Sequence, residues 1–154
     1  MVRKATAADI DQTAEIFLQL HELHVKAKPG SFRSVPIDFF RDRLQWYTAE
    51  ENAEVLVSDE GGINAFAAVK ILEVNSEEKM PRRLCYIDCF AVDGRCRRQG
   101  VGSRLMEYIR EFAKENNCTS LQLGVSGFNE SAHEFYRAIG FTERTFVMEQ
   151  KIYN

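Results

Sequence analysis

A segment rich in arginine and glycine, RCRRQGVGSRL over 95–105, joins two apolar runs. The run LCYIDCFAV before it predicts a buried strand, and MEYIREFAKENN after it predicts a helix. The first amides of a helix lack partners within the helix, and the helix dipole attracts anions to them. Gly100 and Gly102 have no Cβ atom, so a ligand can approach these amides closely. Three arginines add positive charge nearby, at Arg95, Arg97 and Arg98. The segment therefore predicts a pyrophosphate site.

Two common nucleotide-binding motifs do not match this segment. A P-loop needs Lys and then Ser or Thr after its last glycine, whereas Gly102 is followed by Ser103 and Arg104. A dinucleotide-binding fingerprint needs a third glycine where Leu105 stands. It also needs an acidic residue at the end of the next strand, and LQLGVSG offers none. The sequence therefore argues against both a P-loop nucleotide site and a dinucleotide-binding site.

Two motifs resemble those of a known family. RRQGVG is similar to the (Q/R)-x-x-G-x-(G/A) acetyl-CoA signature of the GNAT superfamily of N-acetyltransferases, through Arg97, Gly100 and Gly102. Downstream, NESAHEFYRAIGF resembles the family's N-x-x-A-x-x-F-Y-x-x-x-G-F segment. The matching residues are Asn129, Ala132, Phe135, Tyr136, Gly140 and Phe141. Residues 1–80 match the family only in their general pattern.

The resemblance implies a fold and a co-substrate. We expect one α/β (α+β) domain over 1–154, with a mixed central sheet, helices on both faces and the order β-α-α-β-β-β-α-β-α-β. The fourth and fifth strands would splay apart, and acetyl-CoA would enter the gap between them. Strand residues would bind the pantetheine arm and the thioester, and the loop amides would hold the pyrophosphate. The implied cofactor-binding residues are Phe90, Ala91, Val92, Arg97, Arg98, Gln99, Gly100, Val101, Gly102, Ser103, Asn129 and Tyr136. Asn129 also suits a plain helix N-cap.

The family reaction implies two catalytic groups. A primary amine attacks the thioester directly in a ternary complex. Because a free alkylamine has a pKa of ~10.4, it must lose a proton before it attacks. Tyr136 matches the family tyrosine that protonates the departing thiolate, although spacing alone also suits a core aromatic. Asp88 is the only acidic residue in its apolar strand, and burial of a carboxylate there is costly without a partner or a wet cleft. It is our candidate base, with two alternatives left open: a structural ion pair, or a contact to a cationic acceptor.

Hydrophobic periodicity predicts the elements that position these groups. We expect a first strand at VRKAT, helices over 7–27 and 36–52, and strands at 53–59, 64–74 and 82–92. The charged stretch 75–81 predicts a solvated loop. After the helix that follows the glycine loop, TSLQLGV predicts a strand, NESAHEFYRAIG a helix, and FTERTFVMEQKIY a final strand or pair of strands. Cys85 and Cys89, four residues apart in one strand, are expected to be buried thiols on the same face.

Several other side chains are expected to have ordinary structural or solvated roles. We expect His133, Arg82 and Arg83 to be solvated, and His21 and His24 to be surface or satisfied polar residues. Phe32, Phe39 and Trp46 could line an acceptor pocket, although core packing is the stronger expectation.

Composition limits the possible function classes. The chain has 154 residues and a net charge of −3, so no overall basic field indicates a nucleic-acid partner. No apolar run reaches the ~20 residues that span a bilayer, and the N-terminus has no apolar signal region. We therefore expect a cytoplasmic location and no membrane partner. The resemblance implies an enzyme that uses no metal, with a small-molecule or peptide amine as partner and a homodimer as a possible assembly. The alternative function is a regulatory module that binds CoA or acyl-CoA without turnover.

Overall fold

The computed structural model describes residues 1–153, which form two compact units. The first unit, Met1–Gly124, contains a five-stranded sheet in the order β1-β2-β3-β4-β5. Its strands are β1 (Val2–Lys4), β2 (Ala53–Asp59), β3 (Ile63–Ser76), β4 (Lys79–Val92) and β5 (Ser120–Leu123). Neighbouring strands are antiparallel except for β4 and β5, which are parallel. The sheet is therefore mixed, as predicted.

Three helices of the first unit cover the two faces of this sheet: α1 (Ile10–Ala27), α2 (Ile37–Ala49) and α3 (Val101–Glu115). Val55 and Val57 of β2 lie in one buried cluster with residues of α1 and α2. Alternate strand residues point to opposite faces. Leu56, which lies between them and is also buried, therefore faces the other side, where α3 packs against β2, β3 and β4. The prediction of helices on both faces is confirmed.

The second unit begins at Val125 and contains α4 (Glu130–Ala138). The predicted order of elements is confirmed from the first strand through this helix. No strand forms over the described residues 141–153, where the sequence predicts one. A strand needs a hydrogen-bonded neighbour, and none of the five described strands pairs with this segment.

The predicted loop at 75–81 is instead mostly strand. β3 runs to Ser76 and β4 starts at Lys79, so only two residues form the turn between them. The charged side chains are exposed on this ribbon, as expected. Their charge therefore predicts solvation correctly but not the conformation of the backbone.

A β-bulge in β4 changes which side chains face the core. Ala68 of β3 pairs with Cys89, but the next residue, Val69, pairs with Ile87, so Asp88 has no partner of its own. One extra residue shifts the alternation of the strand. Cys89 therefore lies in the cluster under α1 and α2 and Cys85 faces the opposite side, so the prediction that they share a face is wrong. Both thiols are buried, as predicted, and burial raises the pKa of each.

β4 continues beyond its pairing with β5. The parallel ladder runs from the pair of Leu84 and Ser120 to the pair of Ile87 and Leu123. From Asp88 to Val92, β4 keeps only β3 as a neighbouring strand among the described residues. The ladder between β4 and β5 therefore ends before this stretch, as the predicted splay requires.

Two arginines at the start of β4 join it to neighbouring segments. Arg82 Nη2 donates to Ser120 Oγ at 2.6 Å, and Arg83 Nε donates to Asn116 O at 2.7 Å. Arg83 also forms an ion pair with Glu73. The prediction that Arg82 and Arg83 are simply solvated is therefore wrong.

Candidate active site

The loop between β4 and α3 is organised by a buried carboxylate, Asp93. Its side chain accepts hydrogen bonds from Arg95 N at 3.0 Å and from Arg95 Nη2 at 2.8 Å, and these contacts lower the pKa of the Asp93 carboxyl. The main chain of Asp93 donates to Asn64 O at 2.8 Å. The charge of Arg95 is thus balanced inside the loop, so Arg95 adds less to an anion site than the sequence predicts.

The glycine loop presents its main chain to solvent. Arg98 and Gly100 adopt left-handed conformations, with φ of 62° and 77°. Gly100 is the N-cap residue of α3, and no side chain caps the helix there. The residues from Arg97 to Gly100 are exposed, and neither Arg97 nor Arg98 forms an ion pair within the described residues. The first amides of α3 and two unpaired guanidinium groups are therefore available to an anion.

A pocket of about 110 Å³ lies beside the part of β4 that extends beyond its ladder with β5. It is lined by Phe90, Ala91, Val92 and Arg97 together with Ile16, Gln19 and Leu20 of α1. Gln19 Oε1 accepts a hydrogen bond from Gly94 N at 3.2 Å, which ties α1 to the loop. The structure thus brings four predicted cofactor-binding residues to one pocket. Sequence reasoning missed Gln19, because no local motif marks a helix residue that meets the loop only in the fold.

Asp88 lies in a polar cluster on the α1 and α2 side of the sheet. Its carboxylate accepts a hydrogen bond from Tyr47 Oη and forms an ion pair with Lys70 Nζ at 2.8 Å. The Lys70 ammonium also lies 5.4 Å from the centre of the Trp46 ring and 5.7 Å from that of Tyr47. Burial, followed by the contact with Asp88, raises the pKa of Tyr47. The Asp88 side chain remains 22% exposed, so a substrate can reach it.

Two aromatic side chains of α2, Phe39 and Trp46, differ from the expectation of core packing. Trp46 is 47% exposed and Phe39 is 45% exposed, and the Arg43 guanidinium lies 5.8 Å from the Phe39 ring. The structure therefore presents an aromatic and cationic surface beside the Asp88 cluster.

The two histidines of α1 pack against Phe32 in the segment that follows. The His24 ring lies 5.3 Å from the Phe32 ring, and burial lowers the pKa of His24. A ring nitrogen of His21 lies 2.7 Å from Arg33 O. His21 is therefore a satisfied polar residue, as predicted.

In the second unit, α4 carries the two remaining predicted site residues. Asn129 Oδ1 accepts a hydrogen bond from Ala132 N at 3.2 Å, so Asn129 acts as the N-cap of the helix. The Tyr136 ring is half-buried and packs edge-on against Phe135 and Phe141. His133 is not solvated as predicted, since a ring nitrogen lies 3.1 Å from Ser126 O.

Two kinds of feature are absent from the described residues. Within residues 1–153, no helix has the length and apolar character required to cross a bilayer. In the same residues, no three His, Cys, Asp or Glu side chains converge as metal ligands. The expected absence of a metal remains a prediction.

Residues 17–141 match the profile of the family described as the acetyltransferase (GNAT) family. A thialysine N-ε-acetyltransferase from Bos taurus is 32% identical over 63 residues, which are 41% of this chain and 37% of that protein. An uncharacterised N-acetyltransferase from Bacillus subtilis, YhfO, is 24% identical over 144 residues, covering 94% of this chain and 91% of that protein.

Solved structures agree with this match. A tetramutant of the BH1408 protein from Bacillus halodurans has a TM-score of 0.94 and 29% identity, with 99% of each chain covered. An aminoglycoside 6'-N-acetyltransferase from Acinetobacter haemolyticus shares the fold, with a TM-score of 0.73 and 19% identity over 99% of each chain. Because the profile match covers well over half of its length, the chain belongs to the acetyltransferase (GNAT) family.

Proposed function

We propose that this acetyltransferase moves the acetyl group of acetyl-CoA to a primary amine of a small molecule or peptide by direct attack in a ternary complex. The observation that carries the proposal is the pocket beside β4. It is lined by Phe90, Ala91, Val92 and Arg97, which are all residues that the motif resemblance assigns to acetyl-CoA.

The loop and the end of β4 fit the two polar parts of CoA. The pyrophosphate is bound by the main chain from Arg97 to Ser103, where a helix N-terminus without a side-chain cap faces solvent. A Cβ atom at Gly100 would lie 3.1 Å from Arg104 Nη1, at the start of α3. The pantetheine arm lies along β4 from Phe90 to Val92, beyond the end of the ladder with β5 and beside the pocket that these residues line.

The transfer needs one proton to leave the amine and one to reach the thiolate. The amine nitrogen bonds to the thioester carbonyl carbon, the carbon–sulfur bond breaks, and CoA leaves as a thiol. Asp88 takes the amine proton, directly or through water, and the Tyr136 hydroxyl protonates the sulfur. Main-chain amides on the open edge of β4 stabilise the oxyanion that forms in between.

The Asp88 cluster suggests how a cationic acceptor is bound. Lys70 already places an ammonium group against the Asp88 carboxylate and the Trp46 ring. Carboxylates and aromatic faces both attract ammonium groups. An acceptor ammonium that displaces Lys70 would therefore find the same two contacts. The name of the bovine relative makes amino acids with a side-chain amine the first acceptors to test.

The family match supports the prediction of one domain over 1–154, because residues 17–141 span both compact units. Our expectation of a cytoplasmic location remains a prediction.

The decisive experiment measures thiol release from acetyl-CoA in the presence of one candidate acceptor at a time. The acceptors are thialysine, lysine, spermidine, an aminoglycoside and a peptide amine. We expect turnover with at least one amine, and a fall in kcat of about 10²-fold or more for Tyr136→Phe and for Asp88→Asn. Tyr153→Phe is the matched control, because this tyrosine is 88% exposed and should leave kcat unchanged. Tight acetyl-CoA binding without turnover on any amine would instead favour the regulatory module.

A further inference from the structure

The side chains around the Asp88 carboxylate carry more positive than negative charge. Lys70 forms an ion pair with Asp88 at 2.8 Å, and this pair is neutral by itself. Arg43 adds a second cation, one turn before Tyr47 on α2, and the Tyr47 hydroxyl donates a hydrogen bond to Asp88. One positive charge in this cluster is therefore left without a balancing carboxylate.

Arg43 has no acidic partner within the described residues. It forms no ion pair and no hydrogen bond there, even with its neighbour in the sequence, Asp42. Arg41, on the same helix, is paired with both Asp11 and Asp38. The charge of Arg41 is thus balanced within the fold, whereas the exposed Arg43 guanidinium is able to bind an anion from solution.

Arg43 and Tyr47 lie on the same face of α2. They are four residues apart, which is about 6 Å along the helix axis, so their side chains are neighbours. Burial raises the pKa of Tyr47 and of Cys89, and the positive charge of Arg43 opposes this rise at both groups. The guanidinium is therefore close to the residues that contact or adjoin Asp88.

These charges fit an acceptor that carries both an ammonium and an anionic group. Lys70 shows how an alkylammonium is held here, by the Asp88 carboxylate and the Trp46 ring. A second alkylammonium without a negative group would leave three cations around one carboxylate. We propose that the acceptor is an amino acid of the lysine type, whose flexible four-carbon stem separates its amine from a carboxylate that Arg43 binds. This inference rests on the proposed function and names its substrate class.

The same two cations select against other classes of amine. Spermidine and aminoglycosides bring only positive charge, which Lys70 and Arg43 repel. A guanidinium, in contrast, binds a carboxylate through two parallel hydrogen bonds, which contribute orientation as well as affinity. Arg43 therefore acts as a residue that determines specificity, while the transfer itself takes place at the amine.

The test compares lysine with lysinamide, which keeps both amines but lacks the charged carboxylate. Thiol release from acetyl-CoA gives kcat/KM for each amine. We expect the natural chain to favour lysine by about tenfold or more, since lysinamide loses a hydrogen bond between charged groups. Arg43→Gln should abolish this preference and leave kcat/KM for lysinamide unchanged. Arg43→Glu should reverse the preference.

Arg41→Gln is the matched control, because it removes the same charge from the same helix at a residue that is already paired with two carboxylates. It should keep the preference for lysine. Circular dichroism checks that each variant is folded, which we expect for Arg43 because its side chain is exposed. Equal use of lysine and lysinamide, a preference that survives Arg43→Gln, or turnover confined to spermidine or an aminoglycoside would overturn this inference alone. Absence of turnover with every amine would overturn the proposed function, and this inference with it.

Discussion

Replacement of Gly100 by alanine should separate the folding role of the glycine loop from its role in binding acetyl-CoA. Gly100 has a φ of 77°, which costs an L-residue roughly 1–2 kcal/mol. The new Cβ would lie 3.1 Å from Arg104 Nη1, but this atom ends a flexible side chain and can move. We therefore expect Gly100→Ala to lower the free energy of unfolding by about 1–2 kcal/mol.

The matched control is Gly61→Ala in the turn between β2 and β3. Gly61 has a φ of 81°, and a Cβ there would have no neighbour within 4 Å. The two substitutions therefore carry the same backbone strain, and urea unfolding should give similar losses of stability. Only one of them lies in the proposed pyrophosphate site.

Titration calorimetry with acetyl-CoA then distinguishes the two variants. A hydrogen bond to a charged group contributes about 1.5–3 kcal/mol, so loss of one amide contact in Gly100→Ala should raise Kd by roughly 10- to 150-fold. Gly61→Ala should bind acetyl-CoA with the affinity of the natural chain. Equal affinities for all three proteins would show that the loop amides do not hold the pyrophosphate.

Three further perturbations have predictable outcomes. Because the Arg3 guanidinium holds the pKa of Asp9 well below its ordinary value, the carboxylate stabilises the fold above about pH 4 and loses this effect as the pH falls further. Urea unfolding from pH 7 to 3 should therefore show Asp9→Asn to be about 1.5–3 kcal/mol less stable at neutral pH and less sensitive to acid. Lys70→Met frees the Asp88 carboxylate, so KM for a cationic amine should fall several-fold. The free energy of unfolding should change by less than about 1 kcal/mol, because the ion pair is partly exposed. An unchanged KM with a large loss of stability would show that the ion pair between Lys70 and Asp88 has a structural role instead. The Cys89 thiol, whose pKa is raised by burial, should react with a disulfide reagent at pH 8 only after unfolding.

The sequence by itself determines the local parts of this protein. The left-handed Gly100, the uncapped start of α3 and the Asn129 cap of α4 depend on residues within a few positions of one another. Short-range conformational preferences are enough to specify such features. The cofactor loop and most helix and strand positions could therefore be predicted before the fold was known.

Only the tertiary structure decides what surrounds Asp88 and where the ladder between β4 and β5 ends. The contact between Asp88 and Lys70 depends on one extra residue in β4, which changes the register against β3. Gln19 reaches the loop from a helix that lies far away in the sequence. The described residues 141–153 have the composition of a strand but form none. Register and strand pairing are properties of two segments together, so no single segment of the sequence can specify them.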